Sequence, residues 1–114
     1  MVNIEQIIIE FLQSKGYTVY ADVPYDRPEV FITVERTGGQ DINVALDNPT
    51  VAVQCWNTTR YKASEMALEV AEIMETFRGW SDKVTKCRQT SLYNFPDERQ
   101  ARYQIIFEIV NYKK

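Results

Sequence analysis

Histidine is absent from the chain altogether. That removes the general base of most hydrolytic triads and the nitrogen ligand that zinc and most transition-metal sites use, so Ser–His and Cys–His catalytic sites are excluded. Cysteine is nearly as scarce. Cys55 and Cys87 form no Cys-x-x-Cys pair, and they read as two free thiols packed as small hydrophobes in a reducing cytoplasm. A basic surplus is missing too: 13 Lys and Arg stand against 16 Asp and Glu, a net charge of −3 and a pI near 5.0. Coating nucleic acid requires an excess of cations on one face, so nucleic acid is not an expected partner. Apolar runs such as Ile7–Ile9 are far short of a bilayer span, and no basic lead precedes an apolar stretch as in a secretory signal. Membrane insertion is therefore not expected, and folding in the cytoplasm is.

Glycine and proline, four of each, are too few for a disordered or fibrous chain. What remains is an ordinary globular composition, 45% hydrophobic and 25% charged, over 114 residues. That length supports one modest core, so residues 1–114 are read as one domain.

Periodicity places the elements. Ile4, Ile7, Ile8, Phe11 and Leu12 recur at helical spacing from Ile4 to Lys15, with Asn3 as the cap, Gln6 completing a capping box, Val2 stapling onto Ile7, and Gly16 as the stop. Tyr17 to Ala21 is a short strand, and the stretch with Pro24 and Pro28 is a loop. Val30 to Arg36 alternates as a strand that Thr37-Gly38-Gly39 turns, and Gln40 to Pro49 reads as a long, mobile connection. Thr50 to Trp56 is a further strand, with Val51, Val53 and Cys55 opposite Ala52, Gln54 and Trp56.

A second helix is expected from Arg60 to Phe77, capped by Thr58 or Thr59 and closed by Gly79. One of its faces carries Ala63, Met66, Ala67, Val70, Ile73, Met74 and Phe77. Val84 to Tyr93 and Arg102 to Tyr112 complete a hairpin around Asn94 to Glu98. The order is α-β-β-β-α-β-β: an α+β fold whose mainly antiparallel sheet carries two helices on one face.

Within that frame no residues converge on chemistry. The order α-β-β-β-α-β is also the core of a class of magnesium-dependent nucleases, which need a carboxylate and an Asp/Glu-x-Lys pair on adjacent strands. The corresponding strand here offers Gln54-Cys55-Trp56, and topology without site residues is analogy alone. Thr37-Gly38-Gly39-Gln40 lacks the Lys-Ser/Thr of a phosphate-binding loop and leads into no helix. Arg60, Lys62, Lys83, Lys86 and Arg88 read as a solvated surface with local ion pairs. Trp56 and Trp80, flanking the second helix, fit either core-edge packing or interface anchors. No catalytic, cofactor-binding or metal-ligating residue is assigned, and no cofactor is expected. One feature of the last strand points elsewhere: beside Arg102, Gln104 and Glu108, its second face carries Ile106, Val110 and Tyr112, which a subunit contact would bury.

The run VPYDRPEVFITVERTGG, Val23–Gly39, followed by VAVQCWNTTRYKASEMALEV, Val51–Val70, resembles the small tail-terminator, or neck, proteins of long-tailed phages and prophages. Their pattern is a Val-Pro loop, a strand ending in Glu-Arg-Thr-Gly-Gly, a strand ending near a Trp, and an Ala-rich helix. The likeness covers residues 23 to 77 closely and the rest by element order. It implies the tail-terminator fold and a structural virion protein that caps the tail tube as a ring, a hexamer, joining it to the head-completion or stopper protein. It also implies a location in the host cytoplasm during assembly and then at the head–tail junction. The alternatives are a head-closure or stopper protein and, from another class, a small metal-dependent nuclease. Ring contacts are heterologous, and loops and open sheet faces suit them. The interface candidates are therefore Gln40, Asp41, Asp47 and Asn48; Asn94, Phe95, Asp97 and Glu98 at the hairpin turn; and Ile106, Val110 and Tyr112 on the last strand.

Overall fold

The apolar stripes of the sequence meet on one side of a five-stranded sheet in the computed structural model, which describes residues 1–114. In chain order the elements are α1 (Ile4–Ser14), β1 (Val19–Tyr20), β2 (Phe31–Asp41), β3 (Leu46–Asn57), α2 (Arg60–Met74), a one-turn α3 (Phe77–Trp80), β4 (Val84–Asn94) and β5 (Ala101–Tyr112). The strands lie in the order β1-β2-β3-β5-β4. All neighbours are antiparallel except β1 and β2, which pair in parallel through Val19 with Ile32 and Tyr20 with Thr33. The result is a small α+β domain with a mixed, mostly antiparallel sheet and its helices packed to one side.

The core forms where stripe meets sheet. Ile4, Ile8, Phe11 and Leu12 of α1 and Met66, Val70 and Met74 of α2 pack on Ile32, Val34, Val51, Val53, Cys55, Ile105, Phe107 and Ile109. Each of these strand residues alternates with one on the opposite face, which is why a period of two in sequence becomes a helix-covered face in space. Asn3 caps α1, its Oδ1 accepting from Gln6 N–H. The capping box is only half made, because the Gln6 side chain donates to Glu10 one turn on. Thr59 caps α2, accepting from Lys62 N–H at 3.1 Å.

Three expectations fail, each for a tertiary reason. Thr37-Gly38-Gly39 does not turn the chain: β2 continues to Asp41, with a bulge between Arg36 and Gly38. Gln40 to Pro49 is accordingly no long connection. Gln40 pairs with Asn48 and Asp41 with Asp47, and only Ile42 to Ala45 bridge the strands. β5 runs alongside, pairing Tyr112 with Leu46 and Asn111 with Asp47, and that third strand outweighs the turn preference of the local residues. Finally, α2 stops at Met74. The N–H groups of Glu75 and Thr76 turn to the carbonyls three residues back, and the chain bends so that Phe77 packs on Phe11 at 5.2 Å. Gly79 lies inside α3 and closes nothing.

The two thiols differ. Cys55 is fully enclosed and burial pushes it far above the ordinary thiol range, while partly buried Cys87 is pushed up to about 11. Only the thiolate reacts, so at pH 8 native Cys87 is expected to alkylate on the order of a hundredfold more slowly than an exposed thiol, and Cys55 more slowly still. Mass spectrometry of iodoacetamide-treated protein checks this: both thiols should label promptly in urea, and prompt labelling of Cys55 in the native protein contradicts the packing.

Candidate interaction surfaces

No helix covers the second face of the sheet, yet part of it is as dry as the core. Phe31, Thr33, Ala52, Trp56 and Gln104 point there and are buried. Phe31 and Trp56, paired across β2 and β3, stack with ring centres 5.1 Å apart and planes within 9°. The loop with Pro24 and Pro28 and the turn after β4 fold over this end. Arg27 and Arg102 hold their guanidinium groups 5.1 and 4.7 Å from the Trp56 ring centre, and Arg102 also lies 4.3 Å from that of Phe95. Desolvation lowers the Arg102 guanidinium below its usual value, with Asp97 pulling the other way. The Arg27–Asp97 ion pair, 2.8 Å long, ties loop to turn and holds the Asp97 carboxyl below its usual range.

A chain of polar side chains crosses the sheet beneath this cluster. The Trp56 indole N–H donates to Thr33 Oγ1 at 2.9 Å, Thr33 donates to Gln54 Oε1 at 2.7 Å, and Gln54 Nε2 donates to Gln104 Oε1 at 2.7 Å. Gln104 Nε2 then donates to the Tyr93 hydroxyl. Four strands contribute, and both glutamines are partnered, so the burial of Gln104 and the partial burial of Gln54 carry no unpaired-group penalty.

Toward the other end the same face turns partly apolar. Ile106 lies between Ala52 and Ser91, Val110 beside Lys86, and Tyr112 beside Leu46. Ile106 and Val110 are half-buried and Tyr112 is exposed, with no element above them. These three expected interface residues therefore share one strip. The other candidates divide between the ends of the sheet. Asn94, Phe95, Asp97 and Glu98 sit at the loop-covered end, where Phe95 and Asp97 already hold Arg102 and Arg27. Gln40, Asp41, Asp47 and Asn48 form the base of the opposite hairpin as paired strand residues. Arg36 grips Asp47 at 2.7 Å, holding its carboxyl below the usual range, and Lys113 pairs with Asp41.

Among the basic residues, Arg88 pairs with Glu108 at 2.7 Å and Lys86 is exposed beside it. Glu35 on β2 is exposed opposite Ala52. No three Asp, Glu or Cys side chains converge as a metal site would require. Trp56 proves to be a packing residue, whereas Trp80 keeps 43% of its surface while its edge meets Phe11.

Sequence reading missed two features. The Thr33–Gln54–Gln104–Tyr93 chain was signalled only by one glutamine in each of two strands whose pairing the sequence does not give. The tip of the β2–β3 hairpin exposes Ile42 and Val44, which an assignment to a long loop had hidden. No helix is long and apolar enough to cross a membrane. No protein-family model matches the chain, and no curated protein matches it.

Proposed function

We propose that this protein works by assembly, as a phage tail terminator that closes into a ring on the tail tube and offers its other surface to the head-completion complex. The observation that carries the reading is the helix-free sheet face. Leu46, Ile106, Val110 and Tyr112 form a partly apolar strip there, beside the hydrogen-bonded chain from Thr33 to Tyr93. Apolar side chains left uncovered on a sheet face are suited to contact, since a partner removes their surface from water. The segment likeness over residues 23 to 77 supports the terminator assignment within that class. The tail tube protein and the head-completion or stopper protein are the partners it implies.

Light scattering tests the proposal. A discrete ring, formed by the protein alone or after addition of tail tubes, is the expected result. A chain that remains monomeric under both conditions, or one that cleaves DNA with magnesium and loses that activity on Glu35→Gln, overturns it.

A further inference from the structure

The tip of the β2–β3 hairpin is apolar, exposed and held still. Val44 keeps 93% of its surface and Ile42 keeps 48%. Asn43 Oδ1 accepts from both Ala45 N–H and Leu46 N–H, at 2.8 and 2.9 Å, and Leu46 O accepts from Ile42 and Asn43. Ala45 O accepts from Lys113 N–H, which ties the tip to the chain beyond β5. An exposed apolar tip fixed this way is a preorganised knob. Asp41 is paired by Lys113 and Asp47 by Arg36, which leaves Lys114, and Lys83 bonded to its carbonyl, as the cations beside the tip without a carboxylate partner.

A groove of complementary character lies beside α2. It is an open groove of about 590 Å³ with Val30, Met66 and Leu68 in its lining, where Glu65, Glu69 and Glu72 outnumber the single cation Lys62. Leu68 is 58% exposed, a large apolar side chain on the solvent side of a helix whose other outward residues are mostly charged. Tyr17 donates to Glu69 and closes one wall. The volume falls in the range that proteins use to take up apolar groups.

Knob and groove lie at opposite ends of the molecule. Val30 of the groove immediately precedes the first residue of β2, and Ile42 of the tip immediately follows its last. Eleven extended residues, at about 3.3 Å each, separate them along a long axis of 42 Å. One chain cannot fill its own groove, and two unlike patches at opposite ends are what head-to-tail association requires.

We propose that the Ile42–Val44 tip of one copy seats in the α2 groove of the next copy, its lysines facing the partner's glutamates. The proposal rests on the ring reading and names the contact that builds the ring. Both patches are exposed, so substitutions there leave the fold intact. In a Cys87→Ser background, Val44→Cys protein is mixed with Leu68→Cys protein under diamide, with Val44→Cys plus Thr90→Cys on the exposed β4 edge as the control. The expected result is a disulfide-linked pair forming about tenfold or more faster than in the control, because docking raises the local thiol concentration. The rate should fall as salt screens the lysine–glutamate attraction. A ring seen by light scattering with linkage no faster than control overturns the tip-in-groove contact and leaves the ring reading standing. Absence of both ring and linkage overturns the two together.

Discussion

Replacing Trp56 with alanine is expected to lower the unfolding free energy by about 3–5 kcal/mol, the range for truncating a fully buried aromatic residue. Trp56 is 1% exposed, stacks on Phe31, lies under the guanidinium groups of Arg27 and Arg102, and donates the first hydrogen bond of the chain that crosses the sheet. Its removal opens a cavity and withdraws the surface on which loop and turn rest. Urea denaturation should therefore show a lower midpoint with an unchanged slope. Amide exchange should quicken around Arg27 and Asp97 before it does around the helix-side core. Trp56→Phe keeps most of the packing but leaves Thr33 Oγ1 without its indole donor, and should cost about 1–3 kcal/mol. A Trp56→Ala loss below about 1 kcal/mol would mean that this face of the sheet has no core of its own.

Gly39→Ala should be the most damaging single-methyl change in the chain. Gly39 has φ +109°, a conformation that L residues avoid, and a Cβ there would meet Pro49 Cα at 2.6 Å and Thr50 N at 2.8 Å. Both are backbone atoms of the paired strand and cannot swing aside. Strain of this kind costs on the order of 1–3 kcal/mol from the dihedral alone, and the close approach adds to it by prising β2 from β3 at the base of the hairpin. Gly38→Ala is the control: a Cβ at Gly38 meets nothing within 4 Å and its φ is not positive. It should be neutral or stabilising by up to about 1 kcal/mol. Thermal unfolding of the two variants side by side checks the difference, and equal melting temperatures would contradict the strand pairing at Gly39. If the tip docks in a neighbouring groove, Gly39→Ala should also weaken ring formation, since the knob then loses its fixed base.

These two residues show how legibility varied along the chain. The helix-side core was readable because burial on one face of a helix or strand leaves a periodic trace: Ile4, Ile8, Phe11 and Leu12 in one stripe, Ile105, Phe107 and Ile109 in another. Trp56 left no such trace. On its strand it shares a face with Gln54 and Ala52, a pattern that fits core-edge packing and an interface anchor alike. The glutamines are partnered in a row that exists only once four strands are in register. Gly39 was misread for a related reason. Adjacent glycines are the usual mark of a turn, yet here one of them permits close strand approach, which its immediate neighbours in sequence do not disclose. Of the proposed interface residues, Ile106, Val110 and Tyr112 were visible because they break the polarity of their own strand. Ile42 and Val44 were not, because their exposure depends on where the hairpin ends.

By itself, the amino-acid order determined the two longer helices, the centres of the strands and the apolar stripe of each, together with the lack of imidazole chemistry, because these follow from composition and from periods of two and 3.6 residues. Tertiary structure alone decided the length of the β2–β3 hairpin, the end of α2 at Met74, the second packed layer around Trp56, and the placing of an apolar tip and an acid-rimmed groove at opposite ends. Those features arise from contacts between residues distant in sequence, where the pairing of a third strand or the burial of one aromatic ring outweighs what any local segment prefers.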